Sequence, residues 1–412
     1  MFSVERGEPR ESARRAASSG LVLRAVLDEG PLARSHIARI TGLSPASVTD
    51  HCYALLGSGL LTEARPRHGR KAMGRPTIPL DLNIDVGVVG GVHYAAEHAT
   101  VALVDLRGTV RAERLVRHGD ADAATIVLRS ADALLDLLHR EAPALSMPLL
   151  GVGAASGGWV DPDRGLIVEH DVLGWSRVPV AALLGDRLGV PVRVDSHVRT
   201  LLRAEQLFGR RESRAGALGL FVGNLVDAGF ALGERPHHGA GSRAGAVAHR
   251  AVPGSTVPCG CGRTGCLQAT VSEWRLVARA RELGIIDRVP EPGPAGGPAI
   301  FDLLDVLRAG DPVARSLFVE RAELVGQAVA PLIDLFSPDL VLIIEPGISY
   351  LPECRSALHR QIALHSVTLT DPSPIVVASS FMDHVLATAG ATAFLDALYR
   401  DPLGAVPTSR AS

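Results

Sequence analysis

The chain has 412 residues, too many for one ordinary core, so two or three domains are expected. Hydrophobic residues make up 47% and aromatics 4%. No apolar run reaches the roughly 20 residues of a membrane span, and the opening MFSVERGEPRESARR mixes both charge signs without an apolar stretch, so a cytoplasmic chain with no membrane partner is expected. The formal charge of −2 hides an asymmetry: residues 1–80 carry 12 Arg/Lys against 7 Asp/Glu, a surplus of +5, which leaves −7 on the remainder. A basic unit on an acidic body points to a polyanion as that unit's partner.

In residues 21–61 apolar side chains recur at helical spacing, interrupted three times. Leu21, Val22, Ala25 and Val26 predict one helical face, ended by Gly30 and Pro31. Leu32, Ile37 and Ile40 predict a shorter second face, closed by Gly42. Ser44 is a good N-cap with Pro45 at the first helical position, and Val48, Cys52, Leu55 and Leu56 mark the buried side of a third helix. Two short helices around a glycine-containing turn form a helix-turn-helix. Ser44, Ala46, Ser47, Thr49, Asp50 and His51, at the front of the third helix, are then candidates to face bases or phosphates. None is an Arg or Lys, so specific readout is expected to be modest or shared with another element. EARPRHGRKAMGRPTIPL reads as two extended pieces around a basic loop, a wing whose Arg67, Arg70, Lys71 and Arg75 contact phosphates or enter a narrow A·T-rich minor groove. A solvated basic linker is the alternative.

From about residue 81 apolar strands alternate with amphipathic helices, which predicts an α/β body. VGVVGGVHYAAEHATVALVDLRGTV reads as strands with a hairpin at Asp105 and Gly108; LLGVGAAS, VPVRVDS and PDLVLIIEPG read as buried strands. TIVLRSADALLDLLHREA, RVPVAALLGDRLG and ATAGATAFLDALYR read as helices, and RVPEPGPAGGPAI as a surface loop or hinge. His197, His237 and His238 are expected to be exposed loop histidines, Cys52 and Cys354 buried packing.

The stretch HRAVPGSTVPCGCGRTGCLQA holds His249, Cys259, Cys261 and Cys266, four nitrogen and sulfur ligands of the kind tetrahedral Zn²⁺ prefers. A disulfide or redox pair would use only two of them. With four protein ligands no position is left for water, which makes the expected ion structural.

The helix-turn-helix and wing, GRP at Gly74 to Pro76, LGW at Leu173 to Trp175 and CGCGRTGCLQA, in this order, resemble the ROK family of repressors and sugar kinases over residues 20–400. The resemblance implies a winged helix-turn-helix at 1–80 and a two-lobed, actin-like body of the sugar-kinase (RNase H-like) kind. One lobe would span 81–198, completed by 380–412; the other, 199–379, would carry the zinc loop.

The resemblance also marks losses. The family's Asp-x-Gly-Gly-Thr phosphate loop falls on Val92 to Glu97 without matching. Its Gly-Thr-Gly-x-Gly loop becomes GNLVDAG, with Leu225 and Asp227 for glycines, and its adenosine-side Gly-Gly-Gly becomes Glu345, Pro346 and one glycine. Of the Asn-Asp pair only Asp195, a vestigial base, survives beside Val194; Ala246 stands where a sugar-binding Glu belongs. Asp171, Asp195, His249 and Gln268 remain as an effector pocket. The chain is thus expected to be no enzyme but a sequence-specific DNA-binding transcriptional regulator, dimeric or tetrameric on a palindromic A·T-rich operator, with a sugar-like or other effector. The alternatives are an ATP-dependent sugar kinase with a fused DNA-binding domain and an architectural factor that ignores small molecules.

Overall fold

In the computed structural model, which describes residues 8–64, 78–145, 147–286 and 299–406, helix α1 (Glu8–Glu29) stops where Gly30 donates its N–H to Val26 O. Val22, Leu23, Ala25 and Val26 are buried; Leu21 is 49% exposed, so the buried face turns through Leu23 instead. Helix α2 (Arg34–Thr41) buries Ile37 and leaves Ile40 exposed. Gly42 closes it with φ 70°. Helix α3 (Pro45–Gly57) starts as its sequence dictates, with Ser44 Oγ accepting from Ser47 N and Val48, Cys52 and Leu55 buried. Strands β1 (Leu61–Glu63) and β2 (Leu80–Leu82) pair antiparallel, and Leu32 bridges to Leu80. This is a winged helix-turn-helix. Arg65, Arg67, Arg70, Lys71 and Arg75 lie outside the described residues.

The first lobe holds β3 (Val88–Tyr94), β4 (His98–Val104), β5 (Val110–Arg117), helix α4 (Ala123–Leu145), β6 (Leu149–Ser156), a small sheet of β7 (Trp159–Asp161), β8 (Leu166–His170) and β9 (Trp175–Val178), helix α5 (Val180–Leu188) and β10 (Val192–Ser196). Asp105 forms the expected β4–β5 turn, its carboxylate accepting from Arg107 N and Thr109 N. Helix α6 (His197–Phe208) leads into the second lobe: β11 (Gly216–Val222), β12 (Val226–Leu232), β13 (Arg235–Pro236), α7 (Leu267–Val271), α8 (Glu273–Glu282), α9 (Ala299–Arg308), α10 (Pro312–Phe336), β14 (Leu340–Ile344), α11 (Pro346–Tyr350), α12 (Pro352–His365) and β15 (Val376–Ala378). Helix α13 (Val385–Arg400) returns to the first lobe, and α14 (Pro402–Ala405) follows. Most of RVPEPGPAGGPAI lies outside the described residues.

The two five-stranded sheets follow one plan. Their orders are β10-β6-β3-β4-β5 and β15-β14-β11-β12-β13, each with three antiparallel strands and two parallel ones added beside the first. Helix α13 lies hard against the first sheet because its small residues permit it: a Cβ on Gly153 would come 2.2 Å from Gly390 O, and one on Gly390 2.6 Å from Val92 N. Helix α13 also packs on α1, and its Leu395 and Leu398 share a core with Val22, Leu23 and Val26. A Cβ on Gly20 would meet Tyr399 O at 2.6 Å. The N-terminal helices are therefore packed onto the body through continuous apolar contact.

Candidate functional site

At the tip of α3, Ser44, Ala46 and Asp50 are exposed and Ser47 and Thr49 partly so. Thr49 Oγ1 donates back to Pro45 O at 2.8 Å. His51 does not join them. It is buried, its Nδ1 lies 2.9 Å from Ser19 Oγ on α1, and burial lowers its pKa, so it fastens α3 to α1 as a neutral ring and is corrected from contact residue to scaffold. Sequence reading missed Tyr53, which is 65% exposed and covered by the Arg34 guanidinium 5.5 Å from its ring centre. Its signal was available: Tyr53 falls one helical turn after Thr49 and Asp50, on their face. Ala64 N donates to Pro79 O, so the β1–β2 pairing extends to both flanks of the basic segment.

Further along the body, His249, Cys259, Cys261 and Cys266 bring one ligand atom each within 4.8 Å of one another. Cys261 Sγ to Cys266 Sγ and Cys259 Sγ to His249 Nδ1 are both 3.6 Å, far beyond a disulfide and close to the edge of a tetrahedron built on Zn–S bonds of about 2.3 Å. All five cysteines are free thiols, and the residues present fit a metal ion. Gly265 needs its φ of 71°, and a Cβ there would strike Ser255 O at 2.4 Å. The Arg263 backbone N–H lowers the Cys261 thiol to about 6, and Asp171 Oδ2 lies 3.6 Å from His249 Nε2, the ring nitrogen away from Cys259.

Asp171, His249 and Gln268 border one cavity of about 370 Å³. Asp195 is tied down beside it: its Oδ1 accepts from Arg199 Nε at 2.7 Å and from Ser196 N at 2.7 Å. Arg199, buried and also bonded to Val160 O, is the side chain that reaches this cavity.

The stretches that resemble phosphate loops hold structural bonds. The Asp227 carboxylate crosses between lobes, accepting from Gly158 N at 3.0 Å and facing His197 Nε2 at 3.3 Å. Leu225 is turned toward Gly157, where a Cβ would meet its Cδ1 at 2.6 Å. Glu345 caps α11 through Ile348 N and pairs with buried Arg321 at 3.0 Å, which also donates to Val222 O and Val271 O. His197 is corrected from an exposed loop residue: it is 2% exposed, opens α6 and stacks on His93, because the cleft end of this helix faces the other lobe. His237 is exposed and His238 half-buried.

A winged helix-turn-helix packed on a two-lobed, sugar-kinase-like body defines the class: a DNA-binding transcriptional regulator. The chain belongs to the ROK family, whose model matches residues 89–397. It is 35% identical over 404 residues to the transcriptional regulator Mb0495 of Mycobacterium bovis, covering 96% of this chain and 89% of that one. It is 27% identical to the DNA-binding transcriptional dual regulator NagC of Escherichia coli, over 89% of each. Among solved structures, a ROK family transcriptional regulator described as a homologue of the E. coli MLC protein superposes with a TM-score of 0.75 at 21% identity, over 95% of this chain and 98% of that chain; this likeness concerns the fold.

Proposed function

We propose that the protein binds a palindromic, A·T-rich operator as a dimer or tetramer and regulates transcription without phosphorylating a sugar. The observation that carries this reading is the capped front of α3: Ser44 Oγ accepts from Ser47 N, Ser44, Ala46 and Asp50 are exposed, and Ser47 and Thr49 are partly so. Such a tip suits the major groove, and two copies would meet half-sites about one helical turn apart. Arg67, Arg70, Lys71 and Arg75 serve as wing contacts to phosphates or the minor groove. The units are 1–80, 81–198 with 380–412, and 199–379, the passage between lobes being made by α6.

His249, Cys259, Cys261 and Cys266 hold a structural Zn²⁺ with no open position. Asp171, His249 and Gln268 frame a pocket for a polar, sugar-like effector, while Asp195 serves Arg199. Loss of catalysis follows from Leu225 and Asp227 in place of a glycine cradle, since a carboxylate repels a triphosphate and a leucine side chain blocks backbone approach.

Gel-shift titration of the full chain on such a palindrome tests the reading. Sequence-specific binding that weakens steeply with salt is expected. ADP release with hexoses, abolished in Asp195→Asn, would instead establish a kinase.

A further inference from the structure

Between the lobes, apart from the metal-side pocket, lies a cavity of about 410 Å³, within the range of small-molecule sites. Its walls are apolar: Phe221, Leu225 and Ile344 from the second lobe, Leu304 from α9, and Met382 and Val385 at the start of α13. Its first-lobe side is formed by the end of β3 and the start of β4, where His93 and His98 are 2% and 7% exposed. His93 Nε2 lies 3.2 Å from His197 Nδ1, but His93 Nδ1 and both ring nitrogens of His98 have no hydrogen-bond partner among the described residues. Unpaired buried imidazole nitrogens are costly and are ordinarily met by a ligand or water.

The charges bordering this cavity disfavour an anion. Glu97, Glu273 and Asp383 contribute carboxyl groups, and Glu97 Oε1 accepts from Trp274 Nε1 across the cleft at 3.2 Å. Arg308 is paired with Asp305 at 2.9 Å and lies over the Tyr350 ring. Burial pushes the Glu273 carboxyl up to about 7, and burial holds His93 and His98 neutral.

We propose that this cavity is a second ligand site, for an uncharged and largely apolar small molecule whose polar end hydrogen-bonds to His93 and His98. It extends beyond the metal-side effector pocket and does not depend on DNA binding. The site also has a physical route outward. His197 is the first residue of α6, and at the far end of that helix Gln206 O accepts from Arg24 of α1 and from Arg214 Nε. A ligand that shifts the His93–His197 contact acts on one end of a rigid rod whose other end holds the N-terminal domain.

The test uses an uncharged fluorescent probe, N-phenyl-1-naphthylamine, and its sulfonated analogue 8-anilinonaphthalene-1-sulfonate, titrated into the full-length protein. Saturable fluorescence of the uncharged probe at one equivalent per chain is expected, with the sulfonate binding at least about tenfold more weakly because its charge meets carboxylates. Met382→Trp, at the cavity wall, should weaken the probe at least about tenfold, while Ala246→Trp, at the metal-side pocket, should leave it unchanged; if Met382→Trp does not fold, Val385→Trp reads the same wall. No saturable signal, equal binding of the sulfonate, or unchanged binding in the folded wall variant would overturn the proposal. Operator binding measured on the same samples keeps this result separate from the DNA-binding reading.

Discussion

The Asp28 carboxylate of α1 receives both terminal nitrogens of Arg214, Nη1 to Oδ2 and Nη2 to Oδ1, each at 2.8 Å. Arg24, one turn earlier on α1, pairs with the same Asp28 and donates to Gln206 O at the end of α6. The helix that supports the helix-turn-helix is thus held by charge at the junction between the lobes as well as by its apolar face on α13. Because Asp28 and Arg214 are 16% and 21% exposed, the pair is shielded enough to matter. A double-mutant cycle of Asp28→Ala and Arg214→Ala, read by urea unfolding, should give a coupling of about 1–2 kcal/mol. Additive single effects would mean the contact is idle.

Breaking the Arg321–Glu345 pair should be more damaging. Both side chains are at most 3% exposed, and Arg321 joins β11, α7 and α11. Glu345→Gln leaves the arginine buried without its counter-charge, and removing one partner of such a pair costs about 3–5 kcal/mol. Denaturant unfolding measures it; a loss below about 1 kcal/mol would contradict the assignment.

Acid should destabilise the fold through its buried histidines, although Glu273, raised to about 7 by burial, takes up a proton over the same range and offsets part of the loss. Burial lowers His98 and His170 to about 4, below the ordinary value of 6.5. Between those values the unfolded chain binds the protons that the folded chain refuses, so stability is complete above pH 6.5 and falls as pH drops toward 4. Each ring should remove about 2 kcal/mol by pH 5. Urea midpoints at pH 7.5 and 5 should separate clearly, and less so in His98→Phe.

For the metal loop, elemental analysis should find about one zinc per chain, and Cys261→Ser should lose both the ion and several degrees of melting temperature. A folded, equally stable and metal-free wild type would refute the clamp.

On α3 and the wing, Tyr53→Ala and Thr49→Ala should weaken a cognate site more than random DNA. Arg70→Ala with Arg75→Ala should weaken both alike and reduce the salt slope by about 2, since each phosphate contact contributes about 0.9. An unchanged slope would remove these arginines from the interface.

Much of this architecture is legible in local pattern. Ser44 and Pro45 announce α3, the Asp105 turn announces a hairpin, and the cysteine spacing announces a His/Cys cluster able to hold a metal, because capping, turn geometry and ligand count all act within a few residues. His51 and His197 were misplaced for the opposite reason. Nothing beside them in the chain reveals Ser19, His93 or Asp227, and polar residues default to the surface until a distant partner is known.

The order of amino acids alone pointed to the helix-turn-helix and an α/β body and, through the family resemblance, to two lobes and to side chains where the family's phosphate loops carry glycine. Folding in three dimensions added what these residues do: Asp227 bridges the lobes, Glu345 is the counter-charge of Arg321, Asp195 pairs with Arg199, and the cleft holds an apolar cavity over buried imidazoles. The physical reason is that backbone conformation is set largely by near neighbours, whereas the state of a buried charge or cavity depends on atoms brought together from remote parts of the chain.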